Sequence, residues 1–179
     1  MGYPVFATGD VLNASDMNAV GLWLIKTQTI GSGVSSVTVT GAFSSSFNRY
    51  KITIDGGVSS AIADLQIKLG STATGYYGFL TYGSYTSNTV NGFALNNGTS
   101  IGYAGCGSTN SLFMDCELSN PFETTRTTVT SRFAVTATTS SSAHFTGFLN
   151  DSSSYTAFTI TPNTGTLTGG TIRVYGYRN

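Results

Sequence analysis

The chain has 179 residues, a net charge of zero and only 9% charged side chains, against roughly 25% in an ordinary globular domain. Its eight basic residues are scattered, which excludes electrostatic nucleic-acid binding, because neutralising phosphates takes clustered Lys and Arg. No stretch approaches the roughly 20 apolar residues of a membrane span and no basic segment precedes an apolar run, so a soluble, uncleaved chain without membrane insertion is expected.

The length suits one domain with an appendage and a core that needs no metal or disulfide support. Ser, Thr, Gly, Tyr and Phe are abundant, while glutamate occurs only as Glu117 and Glu123. Strand-favouring residues thus far outweigh helix formers, and the composition predicts an all-β protein. A free monomer with so little charge tends to associate, so much of the surface is expected to be covered by other subunits or by an assembly.

Residues 1–21 differ in pattern from the rest of the chain. Gly9-Asp10-Val11-Leu12 leads into Asn13-Ala14-Ser15-Asp16, where Asn13 can cap a helix and Asp16 occupies the capping-box position three residues on. The predicted helix, about 14–20, is too short to be stable alone and must dock on something. It belongs to an N-terminal arm, packed either on its own domain or on a neighbouring protein.

From Leu22 short apolar or alternating runs are separated by Gly, Ser and Asn. Strands are predicted over 22–30 and 34–40, the second with Val37 and Val39 on one face, and over 50–55, with Tyr50, Ile52 and Ile54 together. In 63–69, Leu65, Ile67 and Leu69 point inward and Asp64, Gln66 and Lys68 outward. An aromatic segment, 75–85, precedes an irregular Asn/Gly/Ser stretch to about Asn110. Gly102–Gly107 lacks the strand-to-helix context of a nucleotide loop and reads as a turn or a glycine-relieved strand. Further strands cover 111–118, closed by Asn120-Pro121, then 125–138 with Val129, Phe133 and Val135 toward the core, 143–149, and 155–161. The last runs from Thr168 to Asn179: Gly169-Gly170 turns the chain in, Ile172 and Val174 face the core, and Thr171, Arg173, Tyr175 and Tyr177 face outward. Nine or ten strands at intervals near a dozen residues predict an antiparallel β-sandwich, jelly-roll-like, over 22–179.

The inventory for chemistry is thin. The lone histidine, His144, has no triad spacing and reads as a surface or interface residue. Asp115 and Glu117 lie two apart on one strand face, with carboxylates about 6–7 Å apart by strand rise, a separation a glycosidase could use; the alternative is a solvated strand face. Cys106 and Cys116 lack metal or redox spacing; a disulfide and two separate thiols both fit, with Cys116 alternating among Leu112, Met114 and Leu118 as a small buried residue. No carboxylate cluster resembles a calcium loop, and neither cofactor nor metal is expected. Tyr76, Tyr77, Tyr82 and Tyr85 are the recognition candidates, because tyrosine brings contact area and a hydroxyl at small entropic cost and aromatic faces pack on sugar rings. The alternative is a hairpin whose tyrosines pack on its own domain or on a neighbour. Arg173, Tyr175 and Tyr177 form a second interface candidate.

Three stretches carry a resemblance: 6–18 (Phe-Ala-Thr-Gly-Asp-Val-Leu-Asn-Ala-Ser-Asp-Met-Asn), the Phe-x-x-x-Phe-x-x-Tyr-x-Ile pattern of 43–54, and the closing 168–179. Together, about a quarter of the chain resembles small virion structural proteins of tailed bacteriophages. The resemblance implies a β-rich appendage, commonly a homotrimer, located in the virion and joined to other virion proteins through its arm, with Phe6, Asp10, Leu12, Asp16, Met17 and Asn18 as attachment residues. It implies a non-enzymatic short tail fibre or appendage contacting the host surface, where a glycan is the expected ligand. The alternatives are a capsid decoration protein and a polysaccharide depolymerase using Asp115 and Glu117. Tail fibres of this kind usually carry more domains than this chain.

Overall fold

The computed structural model describes residues 8, 9, 11, 21–134 and 141–177. The predicted helix, the six attachment residues and Val135 lie outside the described residues. Among those described, the chain is all-β. Its strands are β1 (Leu22–Thr29), β2 (Val37–Val39), β3 (Arg49–Asp55), β4 (Val58–Ser59), β5 (Ala63–Leu69), β6 (Tyr76–Ser84), β7 (Val90–Gly98), β8 (Ile101–Gly107), β9 (Leu112–Ser119), β10 (Thr127–Ala134), β11 (Ser141–Leu149), β12 (Phe158–Pro162), β13 (Leu167–Thr168) and β14 (Thr171–Tyr177).

All pairings between these strands are antiparallel, and twelve of the strands join in one sheet that branches at β9. One branch runs β9-β3-β14-β1 and a second β9-β8-β5-β12-β2, while a third runs β9-β10-β11-β6-β7. The branching follows from register: Leu112–Met114 pair with β8, Cys116–Ser119 pair with β10, and β3 lies along Met114–Ser119. The remaining two strands, β4 and β13, form a small separate sheet.

The branches share one core, built from the alternating faces that the sequence predicts. Tyr50, Ile52 and Ile54 of β3, Leu65, Ile67 and Leu69 of β5, and Ile172 and Val174 of β14 are all 0–3% exposed. Phe43 joins two branches, meeting Tyr50 edge-on at 4.9 Å and stacking on Phe158 at 5.6 Å. Burying such side chains contributes about 1.5–3 kcal/mol each, enough for this core to dominate the fold. Cys106 and Cys116 are free and buried in it, and burial raises both thiols, Cys106 to about 11.

The stretch read as irregular up to Asn110 holds β7, and Gly102–Gly107, which reads as a turn or a glycine-relieved strand, lies in the strand β8. In β8 two glycines lie in close approaches: a Cβ on Gly105 would lie 2.4 Å from the Phe113 carbonyl oxygen of β9 and one on Gly107 2.8 Å from the Leu112 side chain. At the entry to β14, Gly169 and Gly170 have φ of 68° and 89°, the left-handed turn that lets this strand return beside β3.

Candidate functional site

The pairing registers assemble rows of outward side chains across β14, β3, β9, β10, β11 and β6. One row reads Tyr177, Arg49, Ser119, Thr128, Phe148, Tyr77; the next reads Tyr175, Lys51, Glu117, Thr130, Thr146, Phe79. Arg173 and Thr53, Asp115, then Arg132, His144 and Thr81 come after these. Of the recognition candidates, Tyr77 and the group Arg173, Tyr175 and Tyr177 therefore share this face at opposite ends, about 24 Å apart at 4.8 Å per strand.

Charge is concentrated here. Arg49, Lys51, Asp55, Asp115, Glu117, Arg132 and Arg173 are seven of the chain's sixteen charged residues, eight basic and eight acidic. Six of the seven form ion pairs across neighbouring strands: Arg49 with Glu117, Lys51 with Asp115 at 2.8 Å, and Arg173 with Asp55. Tyr177 donates its hydroxyl proton to Glu117 at 2.6 Å while Arg49 lies 5.1 Å from the tyrosine ring centre. Burial pushes the Glu117 carboxyl up, but hydrogen bonds from Tyr177 and Arg49 and the charges of Arg49 and Lys51 outweigh it and hold the group below its ordinary range. Burial and the Glu117 hydrogen bond raise the Tyr177 phenol to about 12.

Arg132 and His144 stand opposite one another on β10 and β11, both exposed. Neither has an ion-pair or hydrogen-bond partner among the described residues. They border an open groove of about 690 Å³ with Phe113, Tyr82 and Val90. Asp115 and Glu117 do lie together on β9, as the sequence predicts, but each is tied to a cation.

The four tyrosines of the aromatic segment separate by strand parity. Tyr76 points inward and is fully buried; its hydroxyl accepts from the Leu69 amide at 2.9 Å and donates to the Thr72 carbonyl at 3.2 Å. Tyr77 points outward, stacked on Phe148 at 5.4 Å, with Arg126 over the other ring at 5.6 Å. Tyr82 points inward and is half-buried, whereas Tyr85 sits in the turn after β6, 60% exposed.

A second concavity lies between β5–β8 and β6–β7. Two adjoining clefts, of about 240 and 310 Å³, share Asp64 and Tyr103; Tyr82 and Phe93 line one, Gln66 and Asn163 the other. The alternation of β5 marks Asp64 as outward and local pattern gives Phe93 and Tyr103 no signal, because the β6–β7 hairpin that lines these clefts is positioned through β11, a pairing remote in sequence. Among the described residues no group of three His, Cys, Asp or Glu is arranged to hold a metal ion.

No family model matches the chain, and no curated protein does. Among solved structures, a chain of the tripod from the baseplate of bacteriophage Tuc2009 is similar to it. The likeness spans 100% of this chain and 75% of that one, at 10% identity and a TM-score of 0.25. A likeness at that score carries no argument about function.

Proposed function

We propose that this chain is a non-enzymatic virion structural protein, a short tail fibre or appendage held by its N-terminal arm and presenting its β domain to the host surface. The observation that carries this reading is the division of the surface. One sheet face gathers almost half the charged side chains, while Leu69 to Met114 contains no Lys, Arg, Asp, Glu or His at all. A hydrated face beside extensive neutral surface suits a subunit exposed on one side and covered by neighbours elsewhere. The pairing of Asp115 and Glu117 with cations supports a structural rather than a hydrolytic role, because a glycosidase keeps both carboxyls free to flank a bond.

The strand order supports a jelly roll. Eight strands fall into two four-stranded sets, β1-β14-β3-β9 and β2-β12-β5-β8, the alternation of a chain folded as two Greek keys. The hairpin strands β6-β7 and β10-β11 extend the first set.

Self-association, as a homotrimer, belongs to the same proposal, and the sheet edges support it. Natural edges are blunted by charge, bulges or shortness. Edge strand β1 carries Lys26 and a bulge between Leu24 and Lys26, and edge strand β2 has three residues. Edge strand β7 has nine residues and no charge, its bulge is confined to the end between Leu95 and Gly98, and Val90 and Phe93 are exposed at 72% and 51%. It is the edge suited to a neighbouring copy.

Deleting residues 1–21 and assaying incorporation tests the arm. The truncated domain should fold yet be missing from particles, and normal incorporation would refute the proposal. The neutral surface equally suits a capsid decoration protein clamped between capsomers; particle imaging separates the two, since one sits at the tail and the other on the shell.

A further inference from the structure

The cleft between β5–β8 and β6–β7 combines polar groups with aromatic walls in a way the fold does not require. Asp64 sits at its centre, half-buried on β5. It is locked to Asn163 by three hydrogen bonds: the Asp64 amide donates to Asn163 Oδ1 at 3.0 Å, the Asn163 amide to the Asp64 carbonyl at 3.0 Å, and Asn163 Nδ2 to Asp64 Oδ2 at 3.1 Å. Its other carboxylate oxygen, Oδ1, has no hydrogen-bond partner among the described residues, and none of the ion pairs involves it. Burial raises its carboxyl above the ordinary range, with no cation to offset the cost. The hydroxyls of Tyr82 and Tyr103 likewise have no partner among the described residues. Asp64, Tyr82 and Tyr103 line the same cleft, and after burial the charge of Asp64 further raises the Tyr103 phenol. The Phe93 ring stands edge-on to Tyr103 at 5.8 Å and is 51% exposed, and Tyr103 rests on Phe145 at 5.8 Å.

We propose that this cleft binds a neutral saccharide, with Asp64 accepting hydrogen bonds from sugar hydroxyls and the Phe93 and Tyr103 rings packing on the sugar's C–H face. The choice of ligand rests on what the groups need. A preorganised carboxylate with a free oxygen makes charge-assisted bonds to hydroxyls, and two phenols with Gln66 and Asn163 supply further donors and acceptors. An anionic sugar would meet Asp64 with no compensating cation. An ammonium group would satisfy Asp64 but leave the phenol and carboxamide hydrogen-bonding capacity unused. The clefts are together the size of a few sugar rings, and they are lined as small-ligand sites are, with apolar walls and few convergent polar groups. The site deepens the reading of the β domain as host-contacting. It is also distinct from the outer face where Tyr77 stacks on Phe148.

The test uses the full chain titrated, by NMR or calorimetry, with neutral hexose and N-acetylhexosamine oligosaccharides, an oligogalacturonate as anionic arm, and choline as cationic arm. A neutral oligosaccharide should bind saturably, and Asp64→Asn and Phe93→Ala should each weaken it at least about tenfold. Arg132→Ala, on the outer groove, should leave affinity unchanged. Asp64→Asn also separates loss of the site from loss of the fold, because removing a desolvated, uncompensated charge should leave the unfolding midpoint at neutral pH equal to or above that of the wild type. Absence of saturable binding by every neutral sugar, preference for choline or oligogalacturonate, or unchanged affinity in Asp64→Asn overturns the site. None of these outcomes bears on particle incorporation through the arm, which is read separately.

Discussion

Replacing Tyr76 with Phe removes one oxygen from the middle of the fold and leaves the ring in place. The hydroxyl fills a gap in the backbone ladder. Strand β5 pairs with β8 only as far as Ile67, opposite Ile101, so the Leu69 amide, two residues on, finds its acceptor in Tyr76 Oη at 2.9 Å. Leu69 is 0% exposed, and water cannot take over. A buried donor left without a partner costs about 1–3 kcal/mol. The second bond, from the hydroxyl to the Thr72 carbonyl at 3.2 Å, ends on a half-buried loop that water reaches and adds about 0.5 kcal/mol at most. The expected loss is therefore about 2 kcal/mol, or roughly 4–8 °C in Tm for a chain of this size. Denaturant unfolding monitored by tyrosine fluorescence measures it. Tyr77→Phe is the matched control: that side chain lies on the outer face, its hydroxyl has no partner among the described residues, and the change should stay within about 0.5 kcal/mol. Equal effects of the two substitutions, or a loss below about 0.5 kcal/mol for Tyr76→Phe, would refute the reasoning that the buried hydroxyl completes β5.

Glu117 gives a dependence on acidity. Its folded-state carboxyl is lowered, so its contribution is present above the unfolded value, about 4.3, and is lost as pH falls through the folded value. Unfolding midpoints measured from neutral pH downward should drop more steeply in the wild type than in Glu117→Gln; parallel curves would contradict the hydrogen-bonded Arg49–Glu117–Tyr177 unit as a source of stability. On the free edge, Val90→Lys with Ala94→Lys places two charges on β7 and should convert a wild-type oligomer, measured by light scattering, into a folded monomer. A monomeric wild type, or a variant that associates as strongly, would show that copies do not meet there.

Local pattern reveals strands whose two faces differ. In β5 the alternation of Leu65, Ile67 and Leu69 with Asp64, Gln66 and Lys68 marks both the element and its buried side, and β3 and β14 are as legible. Alternation fails for β7, where both faces are largely exposed and nothing in Val-Asn-Gly-Phe-Ala-Leu-Asn-Asn-Gly distinguishes inside from outside. In β8 the reason is close approach: Gly105 is small because the Phe113 carbonyl lies against it, and a contact between different strands leaves no period in one of them. The site suffers in the same way. Residue type singles out the tyrosines of 75–85, but parity sends Tyr76 and Tyr82 inward and Tyr77 outward, and only the register of β6 against β11 places Tyr77 on Phe148. Asp64 carries an outward-facing label that is locally correct. That the β6–β7 hairpin then shelters it depends on pairings spread along the chain.

The scarcity of charge and the position of Asp64 bear on each other. On the main polar face six of the seven charges stand in mutual pairs, whereas Asp64 is sheltered from solvent and belongs to none of these pairs. Against that background a sheltered carboxylate without a cation is a cost the core does not need, because an Asn could form the same contacts with Asn163. Costs of that kind persist where a ligand offsets them. The neutral hairpin β6–β7 that shelters Asp64 also supplies the long uncharged edge, so a copy docked on β7 would stiffen the wall that carries Phe93. Assembly and sugar binding would then be coupled: the Val90→Lys, Ala94→Lys variant, besides dissociating, should bind neutral saccharide more weakly than the oligomer although neither substituted side chain belongs to the sugar cleft.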